Sequence, residues 1–330
     1  MTTLLCRRSF SAVPRVVFEN KHVFVLNKPA GIAHHSGQDE DGIVKQIREM
    51  QKNGKFSYTG DLFSVHRLDR CTSGLLLFAK SRKAATFFCG AFADRKISKY
   101  YVAISNNRPN KKMGKVTGDL VASRRSQMKL TRTDSRPSTT RFISSTLPNS
   151  LDQIFGCPKE KQSPSSRAPL RLFLVKPLTG QKHQVRVVLR SLGSAVLGDH
   201  LYAKKDDLLE RVDRCYLHAC GLRLPMPPAS PDEKDNDGED PTSRKYESSK
   251  GAQTFVQIVC RPSEGAIFQT PDFHTSWEDW VVPNMIASSA PIGTNQPSDA
   301  ITDENTISSG IKSPGKLFSV LSPDLPIIWC

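Results

Sequence analysis

Short runs of apolar and β-branched residues, set between polar stretches, dominate the hydrophobic pattern of this chain. Val16 to Phe18 and Val23 to Leu26 are two such clusters and read as strands. Leu75 to Ala79 is apolar without interruption, the pattern of a strand buried on both faces. The stretches KYYVAI (99–104), Leu172 to Val175, and TFVQIVC (254–260) have the same character. Helical spacing occurs twice. Ser81 offers a cap, and Ala84, Phe88, Ala91 and Phe92 follow along one stripe. Val185, Val188, Leu189 and Leu192 recur at i, i+3, i+4 and i+7, while His183, Arg186 and Arg190 fall on another face of the same helix. That helix reads either as a plain amphipathic surface helix or as one wall of an anionic cleft. Strands outnumber helices and do not alternate with them, so the predicted fold class is α+β: a mixed, mainly antiparallel sheet flanked by helices and loops, with a basic cleft.

The polar stretches mark the organisation. NKPAGIAHHSG, after the second strand, holds Pro29 and Gly31 and predicts a turn. Residues 105–141 are basic and turn-rich, and 147–169 read as an exposed insertion. Residues 226–251 lack apolar side chains almost entirely and predict a second insertion without a packed core. One domain over 15–283 is expected, preceded by a loose or targeting segment at 1–14. A largely loose tail at 284–330 follows, with a small apolar end.

The 330 residues are enough for a sizeable core, and the formal charge of +15 favours a polyanionic partner, nucleic acid first and anionic lipid second. Eight cysteines are scattered without a C-x-x-C pair, which suits a reducing compartment and free thiols. No apolar run approaches the roughly 20 residues of a membrane-spanning helix. The start of the chain carries Arg7, Arg8 and Arg15 and no acid before Glu19, the composition of a mitochondrial presequence. Without such a signal the protein would be cytoplasmic or nuclear.

The most informative stretch is HRLDRCTSGLLLFAK, residues 66–80, in which one carboxylate, Asp69, sits among an arginine, hydroxyls and a glycine just before the apolar strand. Alone it reads as a turn with an ion pair. Five blocks in order change that reading. VFENKHVFVLNKPAGIAHHSG, HRLDRCTSGLLLFAKS, SKYYVAI, LVKPLTGQKHQVRVVLRSLGSAVLGDHLYA and YLHACGLRLPMP together cover roughly residues 15–228. They resemble the RluA-type RNA pseudouridine synthases, whose signatures include H-R-L-D-x-x-T-S-G and T-G-R-x-H-Q-I-R.

The resemblance implies an isomerase that converts uridine to pseudouridine in tRNA or rRNA, with Asp69 as its catalytic aspartate. It implies that Tyr101 stacks near the flipped uracil, that Arg186 pairs with Asp69, and that Arg67 braces the gap left by the departing base. His183 and Arg190 would join Arg67 in contacting RNA. Two departures touch RNA contacts: Gln181 stands where the family usually has arginine, and Val188 where it often has histidine. The LGDHLY segment reads as structural, with Gly198 turning the chain and Asp199 binding backbone amides. No cofactor or metal is expected, since the isomerisation oxidises nothing and carries no group away. A monomer without an obligate protein partner is expected. Two other readings stay open: a catalytically silent RNA-binding protein of the same fold, and a nuclease or nucleoside hydrolase using Asp69 with His66.

Overall fold

The computed structural model describes residues 13–37, 41–124, 126–156, 167–203, 211–228, 254–288 and 327–329. Most of the targeting segment, nearly all of the 226–251 insertion and most of the tail therefore lie outside the described residues. The apolar runs form the strands expected of them, β1 (Arg15–Glu19), β2 (Val23–Lys28), β4 (Ser73–Ala79) and β5 (Ser98–Ser105), while the two-residue β3 (Phe63–Ser64) pairs with β4 without such a run. After β5 come β6 (Met113–Gly118), β7 (Leu120–Ala122), β8 (Met128–Leu130), β9 (Ser138–Leu147) and β10 (Leu170–Pro177). The last strands are β11 (Leu217–Pro225), β12 (Phe255–Val259) and β13 (Ile327–Trp329).

Among the described residues, eleven strands join one sheet with the central order β1-β2-β4-β11-β5-β10-β9-β6, while β7 and β8 form a separate hairpin. Pairing is antiparallel except between β4 and β11 and between β12 and β13. Alternation along the strands divides the core between two faces. Tyr100, Val102 and Ile104 of β5 point to one face and pack with Leu170, Leu172 and Leu174 of β10. Ala103, from the opposite face of β5, packs with Phe173 and Val175.

Helices cover both faces. On the second face lie α1 (Ile43–Lys52), which buries Ile43 and Ile47, and, further along the chain, α4 (Gln184–Ser191). On the first face lies α2 (Arg82–Ala93), whose cap Ser81 accepts the Ala84 amide as expected. The clusters under α1 and α4 meet at the middle of the sheet, and the half-buried Tyr101 packs against both. This junction is where the functional groups gather.

Four expectations need correction. The basic stretch 105–141 contains β6, β7 and β8 and the start of β9. β6 sits at an edge of the sheet and β7 and β8 form the separate hairpin, so much of each of these strands faces solvent and the apolar signal is weak. The region 147–169 is not wholly exposed. Ser150 and Gln153 form a capping box that starts α3 (Leu151–Phe155), and Leu151 is buried in the core. The boundary drawn before residue 284 falls within a helix. The chain from α5 (Pro271–Ser276) runs through a π-helical turn (Trp277–Val281) into α6 (Val282–Ala287). Phe273, Trp277, Val281 and Met285 of this segment are buried against the first face. The apolar end of the tail is also ordered against the sheet, since β13 pairs with β12.

Candidate active site

Asp69 lies in the turn that leads into β4, and three features hold this turn. The Thr72 amide donates to the Asp69 carbonyl at 3.1 Å. The Gly31 amide of the NKPAG loop donates to the Arg70 carbonyl at 2.8 Å, and Arg70 Nε returns a bond to the Gly31 carbonyl at 2.9 Å. Beneath them the buried Lys28 Nζ donates to the carbonyls of Pro29 at 2.8 Å, Ile32 at 2.9 Å and Arg70 at 3.5 Å. Burial pulls the Lys28 ammonium down to about 7.

The strand that follows is anchored where β4 meets β11. Gly74 has φ +109°, and an added Cβ there would collide with the Ala219 carbonyl, so this close approach requires glycine. Beside it Ser73 Oγ bonds His218 Nδ1 at 2.8 Å and accepts from Arg214 Nη2 at 2.5 Å. His218 is fully buried, and that burial lowers its pKa to about 3.

Asp69 faces Arg186 of α4, whose Nη1 donates to Asp69 Oδ2 at 3.1 Å. The resemblance paired Arg186 with Asp69, and the geometry adds a second acid. Arg186 directs its fork at Asp199, with Nε to Oδ2 at 2.7 Å and Nη2 to Oδ1 at 2.7 Å. Burial opposes the charge on Arg186, yet the bonds to Asp199 outweigh it and hold its pKa above the ordinary value. Asp199 also accepts the Leu201 amide at 3.0 Å and the Tyr202 amide at 3.3 Å, as expected. It therefore links the LGDHLY turn to α4. The expectation of a helix with one buried face is corrected too, because every residue from Gln184 to Leu189 is buried.

A cleft of ≈ 650 Å³ runs over this site, and Asp69 is the only acid among the described residues lining it. Arg67, Tyr101, His183 and Arg186 line it, as the sequence indicated, together with Arg95, Lys99, Lys182 and Phe92, which it did not single out. Lys99 stands two residues before Tyr101 on the same face of β5, so the period of a strand was the available signal. Its Nζ donates to the Thr179 carbonyl at 3.1 Å, and burial lowers its pKa to about 8. Burial, with Asp69 adding to it, pushes the Tyr101 phenol well above its usual range. Arg67 is exposed at the rim.

Arg190 is placed differently from the expectation that it faces the site with His183. It is exposed beyond the cleft lining, with its guanidinium 5.9 Å from the Tyr202 ring centre and 3.5 Å from the Gln127 side-chain oxygen. Gln181 stays in the cleft wall and donates to the Arg136 carbonyl at 2.9 Å, whereas Val188 of α4 is fully buried. His66 accepts the Leu77 amide at 2.9 Å, and burial lowers its pKa to about 3. The ring is neutral at pH 7 and its Nε2 lone pair is already bonded to β4, so His66 offers Asp69 neither an imidazolium acid nor a free base nitrogen, which leaves the hydrolase reading without its second group.

A carboxylate held by a buried arginine, alone among cations in an open cleft, is the arrangement of an enzyme that acts on a polyanion. Residues 22–191 match the family described as RNA pseudouridylate synthase. A protein of Haemophilus influenzae named "Uncharacterized RNA pseudouridine synthase" is 34% identical over 256 residues, spanning 78% of this chain and 91% of that one. The ribosomal large subunit pseudouridine synthase C of Rickettsia prowazekii is 30% identical over 212 residues, 63% of this chain and 62% of its own length. Among solved structures, human RNA pseudouridylate synthase domain containing 1 superposes with a TM-score of 0.51 at 25% identity, covering 65% of this chain and 79% of that one. The chain belongs to the RNA pseudouridylate synthase family, isomerases that convert uridine to pseudouridine in RNA.

Proposed function

We propose that Asp69 is the catalytic carboxylate of this isomerase and that its RNA is ribosomal. The observation that supports the catalytic role is the Arg186–Asp69 contact of 3.1 Å on the floor of a cleft with no second acid among its described lining residues. The reaction breaks the N1–C1′ bond of uridine, turns the uracil and joins C5 to C1′. The C5 proton is released and N1 regains one. Asp69 serves it by attacking carbon or by taking a proton, and Arg186 holds its rotamer.

The target base must first leave its stack, at a cost of a few kcal/mol. Arg67 at the rim is placed to brace the vacated position, since a guanidinium both stacks on bases and binds phosphate. Tyr101 offers a stacking surface worth about 1–3 kcal/mol. Its raised pKa keeps the phenol protonated at neutral pH, which suits a platform or hydrogen-bond donor better than a base. His183 and the exposed Arg190 add polar and cationic contacts around this face.

The ribosomal target follows the printed name of the Rickettsia relative, and tRNA is the other substrate class to test. In the described residues no helix is long and apolar enough to cross a membrane. The composition of residues 1–14 supports mitochondrial targeting, which an N-terminal fusion to a reporter would test. The monomer reading is open to sedimentation analysis.

The deciding experiment uses rRNA and tRNA tritiated at uracil C5. The parent protein releases tritium from rRNA, and Asp69→Ala abolishes release while RNA binding persists. Equal release by Asp69→Ala would overturn the catalytic assignment, and release from tRNA alone would overturn the ribosomal one.

A further inference from the structure

His183 opens α4 from the left-handed region, with φ +58°, an unfavourable setting for a residue with a Cβ. Its ring is held from two sides. The Tyr202 hydroxyl accepts the Met128 amide of β8 at 2.8 Å and lies 2.8 Å from His183 Nδ1. The amide occupies one lone pair of the phenol oxygen, and of the two directions open to the Tyr202–His183 bond, the one in which the phenol donates sends its hydrogen to Nδ1. The ring proton then resides on Nε2, and Nε2 stands 4.0 Å from Asp69 Oδ1. The other Asp69 oxygen is the one taken by Arg186. The two carboxylate oxygens are thus addressed from two directions by residues that both derive from the start of α4.

We propose that Tyr202 and His183 are positioning residues for the reaction. Tyr202 fixes the neutral Nε2–H tautomer of His183, and His183 presents that N–H to Asp69. This role replaces the RNA contact expected of His183. The proposal rests on Asp69 being the catalytic carboxylate. It also ties the β7–β8 hairpin to the site through one main-chain amide, since Met128 begins β8 and Gln127 of the same hairpin donates to the Leu201 carbonyl at 2.7 Å.

The surroundings favour a neutral ring. Asp69 from the turn before β4 and Asp199 from the turn after α4 favour protonation, and Arg186 and Lys182 oppose it. Burial is the largest influence, and the net pKa lies below the ordinary histidine value. A donor on Nδ1 adds to this, because protonation would place a second hydrogen where the phenol hydrogen already sits. Without the hydroxyl, Nδ1 is free to take up a proton, and the imidazolium would bind the carboxylate as a second cation and blunt its reactivity.

The test is single-turnover tritium release as a function of pH for the parent, Tyr202→Phe, and Tyr202→Phe combined with His183→Asn. The ratio of Tyr202→Phe to parent rates should fall as the pH is lowered through the histidine range, and the double variant should lose this acid limb. A ratio independent of pH, whatever its size, overturns the proposal, as does an acid limb that survives in the double variant. Should Tyr202→Phe fail to fold, His183→Asn alone decides, since asparagine tolerates the left-handed backbone. A positioning role lowers its turnover and leaves RNA affinity unchanged, whereas weakened affinity at unchanged turnover marks a phosphate contact and refutes the proposal. Tritium release by Asp69→Ala in the same series would fault the Asp69 assignment, independently of the pH ratio.

Discussion

Arg186 binds Asp199 with two hydrogen bonds of 2.7 Å and leaves a single nitrogen, at 3.1 Å, for Asp69. The structural carboxylate takes the fork, and the cleft carboxylate takes one prong. This division lets the arginine stay rigid while Asp69 changes partners or charge during a reaction. A guanidinium held only by Asp69 would lose its sole anchor at that moment.

Asp199→Asn should therefore be more damaging than its distance from the cleft suggests. It removes the charge paired with a buried guanidinium, and the expected loss of stability is about 3 kcal/mol. Urea unfolding monitored by tryptophan fluorescence reads this directly, and an unchanged midpoint would contradict it. Turnover should fall as well, because Arg186 loses the contact that orients it.

Gly74→Ala tests the seam between β4 and β11. The positive φ and the carbonyl of Ala219 leave no room for a methyl group, so the two strands must separate locally. A loss of about 2–3 kcal/mol is expected from strain at such a backbone position, together with reduced activity, since the Asp69 turn leads into this strand. A melting temperature equal to that of the parent would show that the seam yields more easily than its geometry indicates.

Stability should fall on mild acidification. His218 is buried and His66 half-buried, and both are neutral, with pKa values lowered to about 3 in the folded chain. In the unfolded chain they titrate near 6.5. Below about pH 6.5 the unfolded state takes up protons that the native state refuses, so each histidine removes about 1.4 kcal/mol per pH unit until about pH 3. Urea midpoints at pH 7 and pH 5.5 measure the effect, and His218→Gln should flatten the dependence if its side chain is accommodated. A midpoint that does not move over this interval would contradict the assignment of both rings as neutral.

RNA affinity should depend steeply on salt, as the net charge of +15 and the cationic cleft require. Arg190→Ala removes an exposed guanidinium beyond the cleft wall, and the slope of log affinity against log salt should become shallower by about 1. Filter binding at a series of potassium chloride concentrations reads this, and an unaltered slope would place Arg190 off the RNA path.

Much of this arrangement was legible along the chain because it depends on local patterns. Continuous apolar runs formed β2, β4, β5 and β10, and Ser81 capped α2, since local spacing and hydrogen-bonding capacity suffice for such elements. The cleft residues Asp69, Tyr101 and Arg186 were marked by the motif blocks that hold them. The edge strand β6 and the hairpin β7–β8 escaped notice, since strands paired on one side alone need no apolar alternation. The helical stretch ending at Ala287 went unmarked, because Trp277, Val281 and Met285 acquire meaning only against the face they cover.

By itself the sequence determined that the chain makes a strand-rich α+β domain, bears a large positive charge, and carries an aspartate and an arginine in motif blocks far apart along it. Only the tertiary structure decided that Arg186 divides its donors between two acids, that Arg190 lies beyond the cleft, and that Tyr202 joins a hairpin amide to His183. The reason is physical: a side chain's type limits how many bonds it can make, but which groups lie within about 3 Å of it is set by the packing of segments distant in the chain.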